Sequence, residues 1–195
     1  MIASLSNQAP FTYLTCTDRI AFLIPNSYEF IVTFLAITHA RAASAPLNPA
    51  YTESEIKFYF EDIQPKFAVV LRGFENAQRV SNVASQLGIP LFEVWGVTRG
   101  QDVFVNVGWV APTNGSPPPT FLTAQAPARE VPQGSDVALF LHTSGTTSRP
   151  KGTYVPFTPC SWECHRSHQI HPSTLWYSLP SWSKVHDIRR HPPCQ

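Results

Sequence analysis

The most constraining feature of the sequence is an alternation of short apolar runs with amphipathic stretches over about its first hundred residues. The apolar runs lie at residues 19–24, 42–47, 67–71 and 91–94, stop at turn-forming residues and have the length of buried strands. The first amphipathic stretch, residues 27–41, carries apolar side chains at helical spacing. Strands and helices that alternate in this way build a mostly parallel sheet flanked by helices. The sequence therefore predicts an α/β fold.

The next two helices carry their own start and stop signals. Thr52 and Glu55 have the spacing of a capping box, in which each residue satisfies a backbone donor at the start of a helix. Four apolar side chains follow at i, i+3, i+4 and i+7 and predict one buried helical face: Ile56, Tyr59, Phe60 and Ile63. A further helix is predicted over residues 76–87, ending at Gly88.

The composition changes between residues 106 and 135, where prolines and glycines become frequent. This composition predicts a surface linker or an extended excursion. A regular pattern resumes at Asp136, and residues 137–141 have the character of a buried strand. That strand leads directly into a loop rich in hydroxyl groups.

The loop, residues 143–152, combines five Ser or Thr hydroxyls with Gly145 and Lys151 in its first nine positions. Open α/β sheets bind ligands at the carboxyl ends of their strands. Glycine allows backbone N–H groups to approach a phosphate closely, and a lysine ammonium is a compact cation suited to polyphosphate. The lysine follows Pro150, so the loop is not a Walker A sequence. Composition alone favours an ordinary polar turn.

A resemblance decides between these two interpretations. Residues 141–152 (LHTSGTTSRPKG) resemble the phosphate-binding signature of the AMP-forming acyl-adenylate ligase family. Residues 18–27 and 45–51 are similar to earlier segments of the same family, and the whole is most similar to the fungal-type oxalate–CoA ligase group. The resemblance implies an incomplete N-terminal subdomain of such a ligase, followed by an irregular C-terminal tail.

The resemblance also implies an activity. Family members join a carboxylate to the α-phosphate of ATP and then transfer the acyl group to coenzyme A. Six residues match the positions that would hold the β- and γ-phosphates, with Mg²⁺ neutralising charge: Thr143, Ser144, Gly145, Thr146, Thr147 and Lys151. The expected partners are therefore ATP, coenzyme A and a small carboxylate. No catalytic residue is assigned, because the segments that would carry one are not recognisable.

The expected domain organisation has three parts. Residues 1–17 form a divergent N-terminal segment, and residues 18–152 form a partial AMP-binding domain that includes the linker. Residues 153–195 differ abruptly in composition and are expected to be an unrelated, poorly ordered tail. Without the downstream segments, the chain is not expected to catalyse the full reaction alone.

Two alternatives remain open: a non-catalytic nucleotide-binding module, and an interaction protein that binds zinc through its tail. The potential zinc ligands are Cys160, Cys164, His165, His168 and His171. They crowd into twelve consecutive residues, whereas a finger-like site separates its two ligand pairs by roughly a dozen residues. A specific metal site is therefore not predicted. His142 and His39 are interpreted as structural rather than catalytic.

Net charge and targeting signals bear on the expected partners and cellular location of the protein. A net charge of +1 without a basic stripe gives no reason to expect nucleic-acid binding. No apolar run approaches the roughly 20 residues of a membrane span. Neither a signal peptide nor a C-terminal peroxisomal signal is recognisable. The expected location is cytoplasmic, or peroxisomal by family resemblance.

Overall fold

In a computed structural model of the protein, the residues described are 5–111, 117–126, 128, 130–143 and 151–156. Ten regular elements follow one another along these residues: β1 (Arg19–Leu23), α1 (Tyr28–His39), β2 (Ala43–Pro46), α2 (Glu53–Ile63), β3 (Phe67–Leu71), α3 (Ala77–Leu87), β4 (Leu91–Arg99), β5 (Asp102–Trp109), β6 (Val137–Thr143) and β7 (Lys151–Pro156). Two single-turn 3₁₀ helices, Phe11–Tyr13 and Thr120–Thr123, lie outside this series.

All seven strands belong to one sheet, in the order β5-β4-β3-β1-β2-β6-β7. The five central strands are parallel, and an antiparallel strand pairs at each end of them, β5 with β4 and β7 with β6. The predicted α/β class with a mostly parallel sheet is confirmed. Because the parallel strands all run the same way, their carboxyl ends lie along one edge of the sheet.

The sheet is buried on both faces, as its apolar strands require. Along β1, Ile20 and Phe22 pack in one core cluster with residues of α1 and the N-terminal segment. Ala21 and Leu23 point the other way, into a second cluster with residues of α2 and α3. The alternation follows from the two-residue repeat of a strand, which sends successive side chains to opposite faces.

The predicted helix signals are confirmed with small shifts at the ends. Ser27 caps α1, and its Oγ accepts a hydrogen bond from the Phe30 N–H at 3.3 Å. The capping box of α2 is complete, because the Thr52 N–H donates to Glu55 Oε2 at 2.9 Å and the Thr52 hydroxyl accepts from the Glu55 N–H. The four residues predicted for the inner face of α2 are all buried.

A residue with left-handed backbone geometry follows each of the three helices: Arg41, Gln64 and Gly88. Gly88 ends α3 at a φ of 67°, where glycine has no steric penalty. The first helix was predicted to continue to about residue 41, but α1 ends at His39. Arg41 has a φ of 67°, which a continuing helix does not permit.

The predicted linker was wrong at its start. β4 extends to Arg99 and turns at Gly100 into β5, which occupies the first four residues of the predicted linker. Most residues in the outer part of this hairpin are exposed or half-buried, so it lacks the continuous apolar run that marks the inner strands. At the other end of the sheet, β7 continues to Pro156, so residues 153–156 of the predicted tail are paired with β6.

Candidate functional site

The predicted phosphate loop connects two antiparallel neighbours at one side of the sheet. Thr143 is the last residue of β6, Lys151 is the first of β7, and the two are opposite each other in the strand register. Ser144, Gly145, Thr146 and Thr147 lie outside the described residues, as do the side chains of Thr143 and Lys151. The structure thus brings the two ends of the predicted site together, at the carboxyl end of a strand that runs parallel to β2.

His142 immediately precedes the loop and is held on three sides. Its Nε2 lies 2.8 Å from Asp62 Oδ2, and its side chain is only 5% exposed. Its ring makes edge-to-face contacts with Tyr59 and Phe140, at centroid distances of 4.6 and 4.9 Å. The packing role predicted for His142 is therefore confirmed. His39, at the end of α1, is exposed.

An aromatic pair links the segment after β2 to the helix that contacts His142. Tyr51 stacks on Tyr59 with ring centroids 4.9 Å apart, and its hydroxyl donates to the Tyr59 hydroxyl at 3.4 Å. Burial raises the pKa of Tyr51 to about 12, helped by the bond to Tyr59 and by the nearby Glu55. The phenol is therefore neutral at physiological pH and acts in packing and hydrogen bonding.

A buried ion pair fixes the other end of β6. The Arg41 guanidinium donates to both oxygens of Asp136, from Nε at 2.8 Å and from Nη2 at 2.9 Å, and it also contacts Glu130. Burial opposes ionisation of Asp136, but the hydrogen bonds from Arg41 and from the Gln133 N–H outweigh it and lower the pKa of this carboxyl. The hydrogen bond to Asp136 likewise raises the pKa of Arg41. Both groups are therefore charged at neutral pH.

Asn76 links the end of β1 to the loop that follows β2. Its side chain is fully buried, and Nδ2 donates to the carbonyls of Leu23 and Pro49, at 3.3 and 3.2 Å. Leu23 is the last residue of β1, and Pro49 lies three residues after the end of β2. Asn76 is therefore a structural brace at the edge of the sheet where ligands bind in open α/β folds.

Sequence reasoning missed Asp62, Asn76 and the partnership of Arg41 with Asp136. Asp62 and Asn76 have no local signature, because their partners lie far away in the sequence. Asp136 could have been found: a lone carboxylate at the edge of a buried strand needs a cationic or N–H partner.

The described residues show neither a metal-binding cluster nor a membrane-spanning helix. The described residues contain no cluster of three or more His, Cys, Asp or Glu side chains that could hold a metal ion. The potential zinc ligands at residues 160–171 lie outside them. No helix in the described ranges has both the length and the apolar character needed to cross a membrane.

Comparison with known proteins identifies relatives of most of the chain. Residues 14–181 match the family described as AMP-binding enzyme. The chain is 42% identical over 142 residues to the probable CoA ligase CCL9 of Humulus lupulus, covering 72% of this chain and 24% of that protein. It is 38% identical over 141 residues to the oxalate–CoA ligase of Arabidopsis thaliana, covering 72% and 25% respectively. The chain thus spans about a quarter of the length of these relatives.

A solved structure shares the same architecture. The chain superposes on apo MatB from Rhodopseudomonas palustris with a TM-score of 0.51 and 26% sequence identity. The superposition covers 74% of this chain and 26% of MatB. As with the sequence relatives, the match covers about a quarter of the other protein.

Proposed function

The chain belongs to the AMP-binding enzyme family, and on that premise we propose that it is part of an ATP-dependent acid–CoA ligase. In the complete enzyme, a carboxylate oxygen attacks the α-phosphorus of ATP, the bond to the bridging oxygen breaks, and pyrophosphate leaves. The thiol of coenzyme A then attacks the acyl carbon, and AMP leaves as the thioester forms. Relatives named as CoA ligases, including an oxalate–CoA ligase, support this reaction class.

The observation that carries the proposal is the position of the loop between β6 and β7. The pairing of Thr143 with Lys151 closes a connection of seven residues at the carboxyl end of β6. A short closed connection is a suitable frame for backbone N–H groups that must point together at phosphate oxygens. In this proposal the six predicted residues hold the β- and γ-phosphates: Thr143, Ser144, Gly145, Thr146, Thr147 and Lys151.

Magnesium enters the proposal together with the nucleotide. The described residues offer no carboxylate cluster for it. In this proposal the ion would bind to the triphosphate oxygens of the nucleotide. Bound there, it neutralises charge on the phosphates, while the chain contributes N–H groups, hydroxyls and the Lys151 ammonium.

We expect the chain alone to bind triphosphate weakly and to lack turnover. A phosphate loop contributes little affinity without the walls of a pocket, and most of the relatives' length lies outside the matched portion. Calorimetry with ATP–Mg²⁺ should show no saturable binding at micromolar concentrations. Phosphorus NMR at millimolar ATP should show line broadening that decreases in Lys151→Ala.

Turnover is tested by pyrophosphate release with ATP, Mg²⁺, coenzyme A and either oxalate or a fatty acid. The expected rate equals that of the Lys151→Ala control. Robust turnover that Lys151→Ala abolishes would support the loop assignment and refute the expected inactivity. Identical line broadening in both proteins would refute the loop assignment itself.

A further inference from the structure

We propose that Asp62 positions the predicted phosphate loop by holding His142, the residue that precedes it. The inference rests on the proposed function, since it concerns the geometry of the same loop. Asp62 is a positioning residue in this proposal: it contacts the end of β6 and does not touch the nucleotide. The argument depends on how β6 is attached to the rest of the sheet.

The backbone attachment of β6 to the sheet is short. β1 and β2 share four register pairs, whereas β2 and β6 share one, Ser44 with Leu139. The more extensive pairing of β6 is with β7, which lies beyond the loop in the chain and is joined to the sheet through β6. Side-chain contacts supplement this pairing in fixing β6 relative to the central strands.

One ion pair and one hydrogen bond provide such contacts, one at each end of the strand. Arg41 and Asp136 hold the start of β6, next to its first residue. Asp62 and His142 hold its end, one residue before Thr143. Of the two, only the second adjoins the loop.

The Asp62–His142 contact can fix the end of β6 relative to α2. Asp62 belongs to α2, whose start is secured by a complete capping box and whose inner face is buried in the core. The His142 ring lies between Tyr59 of that helix and Phe140 of its own strand, so packing limits its rotation. The 2.8 Å bond to Asp62 then fixes where the ring, and with it the backbone at residue 142, lies relative to α2.

This position matters because a phosphate site depends on preorganised donors. Displacements of a fraction of an ångström weaken such sites, and the residues that orient them are often remote from the ligand. Loss of the Asp62 carboxylate leaves the buried His142 nitrogen without this partner and frees the strand end to shift. Lower affinity for triphosphate and faster opening of the β6–β7 end should follow together.

The experiment compares the wild-type chain with Asp62→Ala, Asp62→Asn and the matched control Glu61→Ala. Glu61 is the exposed neighbour on the same helix, so its removal changes charge equally. Inorganic triphosphate is the probe, with dissociation constants from phosphorus NMR line broadening. Asp62→Ala should weaken binding about three- to tenfold, the factor expected for one lost hydrogen bond. Asp62→Asn can still bond to either tautomer of His142 and should restore binding to within about twofold of wild type.

A second variant covers the case in which Asp62→Ala does not fold. His142→Phe keeps an aromatic ring in place and removes the hydrogen bond. It should reproduce the loss seen in Asp62→Ala, and the double variant should lose no more than either single variant, as expected for two partners in one interaction. Additive losses would overturn the proposal.

Hydrogen exchange separates the failure of this inference from failure of the proposed function. Amides of residues 141–143 and 151–153 should exchange faster in Asp62→Ala than in Glu61→Ala, with β1 and β3 unchanged. If wild type binds triphosphate and Asp62→Ala binds it equally well, the inference fails and the function stands. If wild type does not bind, the proposed function fails, and unchanged exchange in Asp62→Ala would show independently that Asp62 does not hold the strand end.

Discussion

Arg41 combines an unusual backbone conformation with a buried charge. A non-glycine residue at a φ of 67° is sterically disfavoured, and a guanidinium that is about nine-tenths buried is costly without partners. The two-pronged bond to Asp136 satisfies that charge and joins the segment after α1 to the start of β6. The Asp136 carboxylate therefore links the conformation at residue 41 to the start of β6.

Replacing that carboxylate should change both stability and its dependence on pH. The pKa of Asp136 is lowered in the folded chain, so its contribution is fully present above its unfolded pKa, near 3.8, and is lost as pH falls through the lower folded value. Asp136→Asn should destabilise the chain at pH 7 by about 2 kcal/mol, somewhat less than the full removal of a buried ionic partner. Below pH 3.8 the difference from wild type should shrink.

Urea unfolding followed by circular dichroism at several pH values measures this difference. Glu130→Gln is the matched control, since Glu130 contacts the same arginine with a side chain that is 65% exposed. Exposed pairs contribute about 0–1 kcal/mol, so the control should be close to wild type. Equal losses in the two variants would show that the buried pair has no special role.

The accuracy of residue-level prediction depended on whether a partner was near in sequence. The Thr52–Glu55 box spans three residues and was predictable, because helix geometry alone brings the two side chains together. Asp62 meets His142 across 80 residues, a contact that only the assembled sheet creates. The loop was recognised through its resemblance to a family signature, since composition alone favoured an ordinary turn.

At the scale of elements, α2 links the capping box, the core and the contact to His142. Its first residues are exposed, and its inner face consists of buried side chains that include Ile56, Phe60 and Ile63. Loss of the cap should therefore weaken the element that carries Asp62.

Thr52→Ala should destabilise the chain by about 1 kcal/mol, the usual cost of removing a Thr cap. Lys57→Ala is the control on the exposed face of the same helix. Its replacement by the best helix former should leave stability nearly unchanged or slightly higher. Chemical unfolding of the three proteins makes the comparison, and equal stability of wild type and Thr52→Ala would contradict the capping argument.

The sequence did not predict β5, an outer strand that is mostly exposed or half-buried. The inner strands β1 and β3 read as continuous apolar runs because both their faces are covered. β5 is an outer strand of exposed and half-buried residues with Val105 as its buried member, and it leads into a proline-rich stretch. Its pattern resembled the linker that follows, so its boundary required the pairing with β4.

At the scale of the whole molecule, the chain spans about a quarter of the length of its relatives. Within the described residues, β7 is an outer strand of the sheet and pairs with β6 alone. The adjoining face includes Leu141, which is 38% exposed. Unpaired edges and exposed apolar side chains promote association between copies.

We therefore expect the purified chain to associate in a concentration-dependent manner, and Thr153→Lys to reduce this association. Thr153 lies on β7 opposite Leu141, and a lysine on an edge strand opposes pairing because its charge resists burial between two sheets.

Light scattering coupled to size-exclusion chromatography measures the mass. Val131→Lys adds the same charge at a residue that is 80% exposed and outside every strand, so it should not relieve association. If both variants reduce association equally, the effect is one of net charge. If the wild-type chain is a monodisperse monomer, the outer edge of β7 does not promote association.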